Sequence, residues 1–198
     1  MAAETREFAQ DGPASSRLSE FQALVISGTS APSSDGATFE VVNPMRGEKI
    51  YDSASATVED YGRAIESAQA AFGSWSRTSP SARRLIFLKA ADIIEECLQH
   101  GPDGETASIL SAEVSATRSW VHVSLWGTAA LLRESAGLVT HIKGEIVPSE
   151  KPGTTILVER QPVGVVFAIS PWNAPVSPPP LPPAPCSGGL APELTVTR

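Results

Sequence analysis

The most constraining stretch of this chain is Val163 to Ile169, an unbroken apolar run of strand length, rich in β-branched residues. Without polar alternation, such a run reads as a strand covered on both faces, the condition of a parallel α/β sheet. It stops abruptly at Ser170-Pro171-Trp172-Asn173-Ala174-Pro175. The two prolines withdraw backbone donors and bias Ser170 and Ala174 toward extended conformations. A buried strand that ends in a stiff loop carrying an indole and a carboxamide has the form of a ligand site at the carboxyl end of a sheet. A core strand followed by an ordinary proline turn would use the same residues, and the run alone leaves both readings open.

The chain leading to that run changes period twice. Residues 1–20 are polar, mixed in charge and without an apolar leader core, so they read as a mobile tail with no secretory signal. Phe21 to Ser27, Thr38 to Val42 and Lys49 to Ser53 read as three short strands separated by turn residues, an antiparallel entry meander. Helical spacing follows. Thr57 with Asp60 has the form of a capping box, ahead of Tyr61, Ile65, Ala68 and Phe72. Ser79-Pro80 starts a second helix, whose apolar face is read as Ile86, Ala90, Ile93 and Cys97. Gly101-Pro102-Asp103-Gly104 stops it, a shorter helix covers Glu105 to Val114, and a long one covers Trp120 to Leu138. Thr140 to Ile146 and Thr154 to Arg160, joined by a Pro-Ser-Glu-Lys-Pro-Gly turn, form a hairpin candidate.

Charge and cysteine usage narrow the functional classes. Fifteen basic against 22 acidic side chains give a net charge of −7, which argues against a general nucleic-acid binder. No apolar run approaches a membrane span in length. Two cysteines, Cys97 and Cys186, make neither a disulfide framework nor a metal set, and the three histidines lack ligand spacing. Cys97, within a helix pattern, is most simply a small buried hydrophobe. A soluble, cytoplasmic protein without a metal site is expected.

Pro162-Val163-Gly164-Val165-Val166 through Pro171-Trp172-Asn173 closely resembles the aldehyde dehydrogenase superfamily. Collinear likenesses precede it: Asn43-Pro44 with a glycine shortly after, Ala68-Gln69-Ala70-Ala71-Phe72-Gly73-Ser74-Trp75, and the Arg83-Arg84 helix. Leu132-Arg133-Glu134-Ser135-Ala136-Gly137 and Gly144-Glu145-Ile146-Val147-Pro148-Ser149 look most like the aromatic-aldehyde members, of the salicylaldehyde and vanillin type. The resemblance implies an α/β fold, the N-terminal part of a Rossmann-like architecture. It divides the chain into a tail (1–20), the first part of a cofactor-binding domain (21–139), an oligomerisation-type hairpin (140–161), a first Rossmann strand with its loop (162–176) and a proline-rich tail (177–198). Members oxidise an aldehyde with NAD or NADP through a cysteine thiolate. By resemblance Asn173 is the oxyanion donor, Ile169, Ser170, Pro171 and Trp172 line the cofactor cleft, and the hairpin packs on a partner subunit. The family lacks a Gly-x-Gly-x-x-Gly fingerprint, so its absence here counts for nothing.

Beyond Val176 the likeness ends. Ser177 to Arg198 contains Pro178, Pro179, Pro180, Pro182, Pro183, Pro185 and Pro192 and reads as a disordered, polyproline-like segment. Two origins remain open for it: a frame or splicing change, or a genuine ligand for a polyproline-reading partner. Neither Cys97 nor Cys186 stands where the family's nucleophile would. The expectation is therefore a family fold cut off at its first buried strand and inactive alone. The alternative is a non-catalytic interaction protein that docks on a full-length relative through the hairpin.

Overall fold

The computed structural model describes residues 21–101 and 104–176, so the expectations for 1–20, for Pro102-Asp103 and for the segment from Ser177 lie outside the described residues. The architecture is mixed α/β, as expected. Strands β1 (Phe21–Gln22), β2 (Leu24–Ile26), β3 (Thr29–Ala31), β4 (Thr38–Val42) and β5 (Lys49–Ala54) precede helices α1 (Val58–Trp75), α2 (Pro80–Gln99), α3 (Glu105–Val114) and α4 (Arg118–Leu138). A 3₁₀ turn (Val139–His141) leads into β6 (Glu145–Pro148) and β7 (Thr155–Val158).

The entry strands differ from a simple meander. β4 and β5 pair antiparallel, but β1 joins β5 in parallel, giving the order β1-β5-β4. β2 and β3 form a separate hairpin across Ser27 and Gly28, both at positive φ (56° and 71°). Positive φ at both central residues matches the right-handed strand twist and closes a two-residue turn. The reading of Phe21 to Ser27 as one strand is corrected: it breaks at Ala23 into β1 and β2, and the chain reverses at Ser27-Gly28 into β3.

The helix starts follow their local chemistry. At α1, Thr57 Oγ1 accepts the Asp60 N–H at 3.2 Å, while Asp60 Oδ2 accepts the Thr57 N–H at 2.9 Å. Ser79 Oγ accepts the Ala82 N–H at 3.2 Å, one residue before Pro80 opens α2. Gly101, at φ 71°, ends that helix by donating its N–H to Leu98 O at 3.0 Å.

The core lies between α2, α3 and α4. Ala107, Leu110, Val121 and Leu125 form one buried cluster, covered by Ile94, Leu98, Ala116 and Val176. Phe87, Ala136 and Val139 form a second, flanked by Leu88 and Leu132. The first half of α2 thus meets the end of α4 and its second half meets the start, so the two run antiparallel. Arg133 ties them outside the core, with bonds of 2.8 Å and 2.6 Å to Glu95 and 2.8 Å to Asp92. The buried face of α2 is Phe87 and Ala91 with Ile94 and Leu98, one residue on from the expected Ile86, Ala90, Ile93 and Cys97. Ile93 is exposed and Cys97 half-buried, because α4 approaches from the side that brings in Phe87, the largest apolar group there. On α1 likewise, Ala64 and Ala68 are buried and Ile65 is exposed.

The largest departure is the run on which the sequence reading turns. Val163 to Ile169 is not a strand, and Val163, Val166, Phe167 and Ile169 are exposed. Gly164 sits at φ 104°, outside the β region altogether. A parallel strand exists only through hydrogen bonds to neighbours, and among the described residues none pairs with this run. β6 and β7 do form the expected hairpin, in shorter strands, because Val139 to His141 continue from α4 as 3₁₀.

Candidate functional site

The loop after the apolar run is built from its prolines outward. Pro171 offers a carbonyl but no N–H, and its oxygen accepts the Ala174 N–H at 3.1 Å, closing a turn over Trp172 and Asn173. Pro175 then directs the chain toward α4, where Val176 packs on the Ala107, Leu110, Val121 and Leu125 cluster.

Two α4 side chains hold the loop by its main chain. The Trp120 indole N–H donates to Asn173 O at 3.2 Å. Thr128, almost wholly buried, places its hydroxyl 2.8 Å from Ser124 O and 3.2 Å from Val176 O, so one proton serves both carbonyls. The Asn173 carboxamide makes no hydrogen bond among the described residues, and Asn173 is exposed. Its side chain therefore does not cap the turn in which it sits.

The expected cleft residues lie on the same segment with uneven exposure. Ile169 and Trp172 are exposed, at 66% and 71%, Pro171 is exposed and Ser170 half-buried. No side chain from Gln161 to Val176 carries a charge. Sequence reasoning missed Trp120 and Thr128 as supports of this loop. They lie 53 and 48 residues from the carbonyls they hold, and no spacing announces such a contact.

Two other polar centres stand apart from the loop. Asp60, without solvent exposure, accepts from the N–H groups of Thr57 and Ser34 (2.9 and 3.1 Å), and Arg63 lies 3.3 Å from its other oxygen. Those backbone donors, Thr57 first, hold its carboxyl down to about 2. The Tyr51 hydroxyl donates to Glu113; burial above all, then that carboxylate, pushes the phenol up. Among the described residues no group of three or more His, Cys, Asp or Glu could hold a metal, and no helix is long and apolar enough to cross a membrane.

Comparison with known proteins places this geometry. The sequence model of the aldehyde dehydrogenase family matches residues 31–185. Vanillin dehydrogenase of Pseudomonas fluorescens is 41% identical over 153 residues, covering 77% of this chain and 30% of the relative. The crystal structure of a salicylaldehyde dehydrogenase from Pseudomonas putida G7, complexed with salicylaldehyde, superposes with a TM-score of 0.72 at 35% identity, over 79% of this chain and 31% of that one. A betaine aldehyde dehydrogenase point mutant from Staphylococcus aureus, in complex with NAD+, gives 0.72 at 29% identity, over 78% and 30%. The chain thus spans about 30% of the length of the relatives it matches.

Proposed function

The chain belongs to the aldehyde dehydrogenase family, and from that premise we propose that its residues 162–176 carry the oxyanion and cofactor-facing loop of an aldehyde-oxidising site. The substrate class is aromatic, in keeping with the vanillin and salicylaldehyde relatives. The carrying observation is the Asn173 carboxamide, without a hydrogen bond among the described residues, on a loop held by its carbonyls and by the Val176 side chain. An uncommitted NH₂ on a held backbone is a preorganised donor for the negative oxygen that develops when a nucleophile adds to a carbonyl.

NAD or NADP, when bound, supplies the hydride acceptor. Ile169 and Trp172 offer exposed apolar surface against which a flat ring can lie, and Pro171 stiffens the backbone between them. With no cation between Gln161 and Val176, this segment fits the apolar contact and not the phosphates. These residues hold one part of a dinucleotide.

No nucleophile accompanies Asn173 within the described residues. Cys97 is half-buried on α2, with the Thr106 hydroxyl 3.5 Å from its sulfur. The 198 residues on their own should therefore show no NAD- or NADP-dependent oxidation of vanillin or salicylaldehyde, and turnover above a blank overturns that reading. The role of Asn173 is tested by grafting residues 31–176 into the matching part of Pseudomonas fluorescens vanillin dehydrogenase. In that chimera Asn173→Ala should lower kcat by roughly 10²–10³. An unchanged kcat overturns the oxyanion role.

One observation favours a second, non-catalytic reading. Every residue of β6 and β7 is exposed, with Ile146 at 74% and Leu157 at 68%. A two-stranded ribbon with no covered face is marginal in water and suits docking on a second subunit, another copy or a longer relative. Co-expression with that vanillin dehydrogenase and affinity capture tests it, and the absence of a mixed oligomer counts against it. A cytoplasmic site of action accords with both readings and is checked by cell fractionation.

A further inference from the structure

We infer that Trp120 and Thr128 are positioning residues, a clamp on α4 that fixes the Asn173 loop by its carbonyls; its purpose rests on the oxyanion reading above. Three attachments act on four consecutive residues. The Trp120 indole takes Asn173 O at 3.2 Å, the Thr128 hydroxyl reaches Val176 O at 3.2 Å, and the Val176 side chain enters the α3–α4 cluster. Between the two carbonyls stand Ala174 and Pro175, whose ring fixes one of the few free torsions left. Eight residues separate the two α4 side chains, about 12 Å along the helix. The three steps from Asn173 to Val176 reach about 10 Å when extended. Pro175 and Val176 lie in a turn, so the segment spans less than that, and it is held at both ends.

Both α4 contacts use main-chain oxygen and neither touches the carboxamide. Trp120 is 47% exposed, so water could satisfy its indole, and burial alone does not require the bond to Asn173. Thr128 is 3% exposed, and its hydroxyl already has Ser124 O at 2.8 Å. Helix packing thus leaves both donors satisfiable without the loop. What the two contacts accomplish is to set where the carboxamide of Asn173 can point.

Amide exchange and ¹⁵N NMR on the whole 198-residue chain test the clamp, with the Ala174 N–H as the local probe because it closes the turn on Pro171 O. Trp120→Phe keeps an aromatic ring, though a smaller one, and removes the donor. Ala174 should then exchange roughly two- to tenfold faster, the worth of one net hydrogen bond, while amides along α2 and α4 stay unchanged. The side-chain NH₂ of Asn173 should become more mobile on the nanosecond scale. Thr128→Val should do the same and Thr128→Ser should restore the original rates; if Thr128→Val fails to fold, Trp120→Phe decides. Trp126→Phe, at an exposed indole elsewhere on α4, should leave Ala174 unaffected. Asn173→Ala should leave Ala174 exchange and the Trp120 indole resonance as they were. Unchanged exchange at Ala174 in Trp120→Phe, or an increase shared evenly along α4, overturns the clamp. If Ala174 loosens while the Asn173→Ala chimera keeps its turnover, the clamp stands and the oxyanion reading alone falls.

Discussion

Asp60 is charged and without solvent exposure, and its worth follows from its donors. The N–H groups of Thr57 and Ser34 bind the carboxylate and lower its pKa from 3.8 to about 2. A carboxyl depressed in the folded state lends stability that is fully present above its unfolded value and is lost as pH falls through the folded one. Acid unfolding followed by circular dichroism should therefore steepen between about pH 4 and pH 2. Asp60→Asn should remove that slope and lower stability at neutral pH, since its amide would meet donors on both sides. A smaller residue-scale strain sits at Ser115, left-handed at φ 51° at the end of α3. Its hydroxyl donates to Asn43 Oδ1 at 3.2 Å and accepts the Met45 N–H at 3.1 Å. Ser115→Ala and Ser115→Gly both lose these bonds, but only glycine relieves the backbone. Thermal denaturation should find the glycine variant more stable than the alanine variant by about 1–2 kcal/mol.

Among the elements, the β6–β7 ribbon depends on one close approach. A Cβ on Gly144 would stand 2.6 Å from Val158 O, a backbone atom that cannot swing away. Gly144→Ala should therefore spread the first ladder pair, Glu145 with Val158, at a local cost of about 1–3 kcal/mol, read as faster amide exchange across the ribbon. What was legible at this scale followed from how local each signal was. Thr57 with Asp60, and Ser79 with Pro80, announce helix starts because each cap closes within three residues. The β1–β5 pairing was illegible because two residues carry no pattern. The exact core face of α2 was illegible because the approach of α4, not periodicity, selects Phe87 over Ile86. Val163 to Ile169 misled for the opposite reason: its composition describes a strand inside a sheet, and a strand is a property of its neighbours. In the candidate site, Asn173 and Trp172 could be picked out from their setting between prolines. Trp120 and Thr128, some fifty residues away on a helix, could not.

At the scale of the whole molecule, apolar surface is unevenly spent. Half of the buried apolar residues among those described are alanines, seven of fourteen, so α2 and α4 pack closely over a thin core. Outside it, Trp126, Ile146, Leu157, Val163, Phe167, Ile169 and Trp172 all face water. Exposed surface of that extent binds apolar dyes and other chains. The purified 198-residue chain should enhance anilinonaphthalene sulfonate fluorescence in its native state and elute in light scattering with a concentration-dependent mass. A dye-silent monomer would contradict the exposure described. The attachment of Val176 to α4 carries one more consequence. The stretch before it is open to a protease that cuts after aromatic residues, at Phe167 or Trp172, whereas the helical core offers no such extended substrate. Among the described residues, a single cut there would leave the C-terminal piece held to α4 by one side chain and two hydrogen bonds, a weak hold that should let it be released. Digestion would strip the candidate site from the molecule and leave the helices folded.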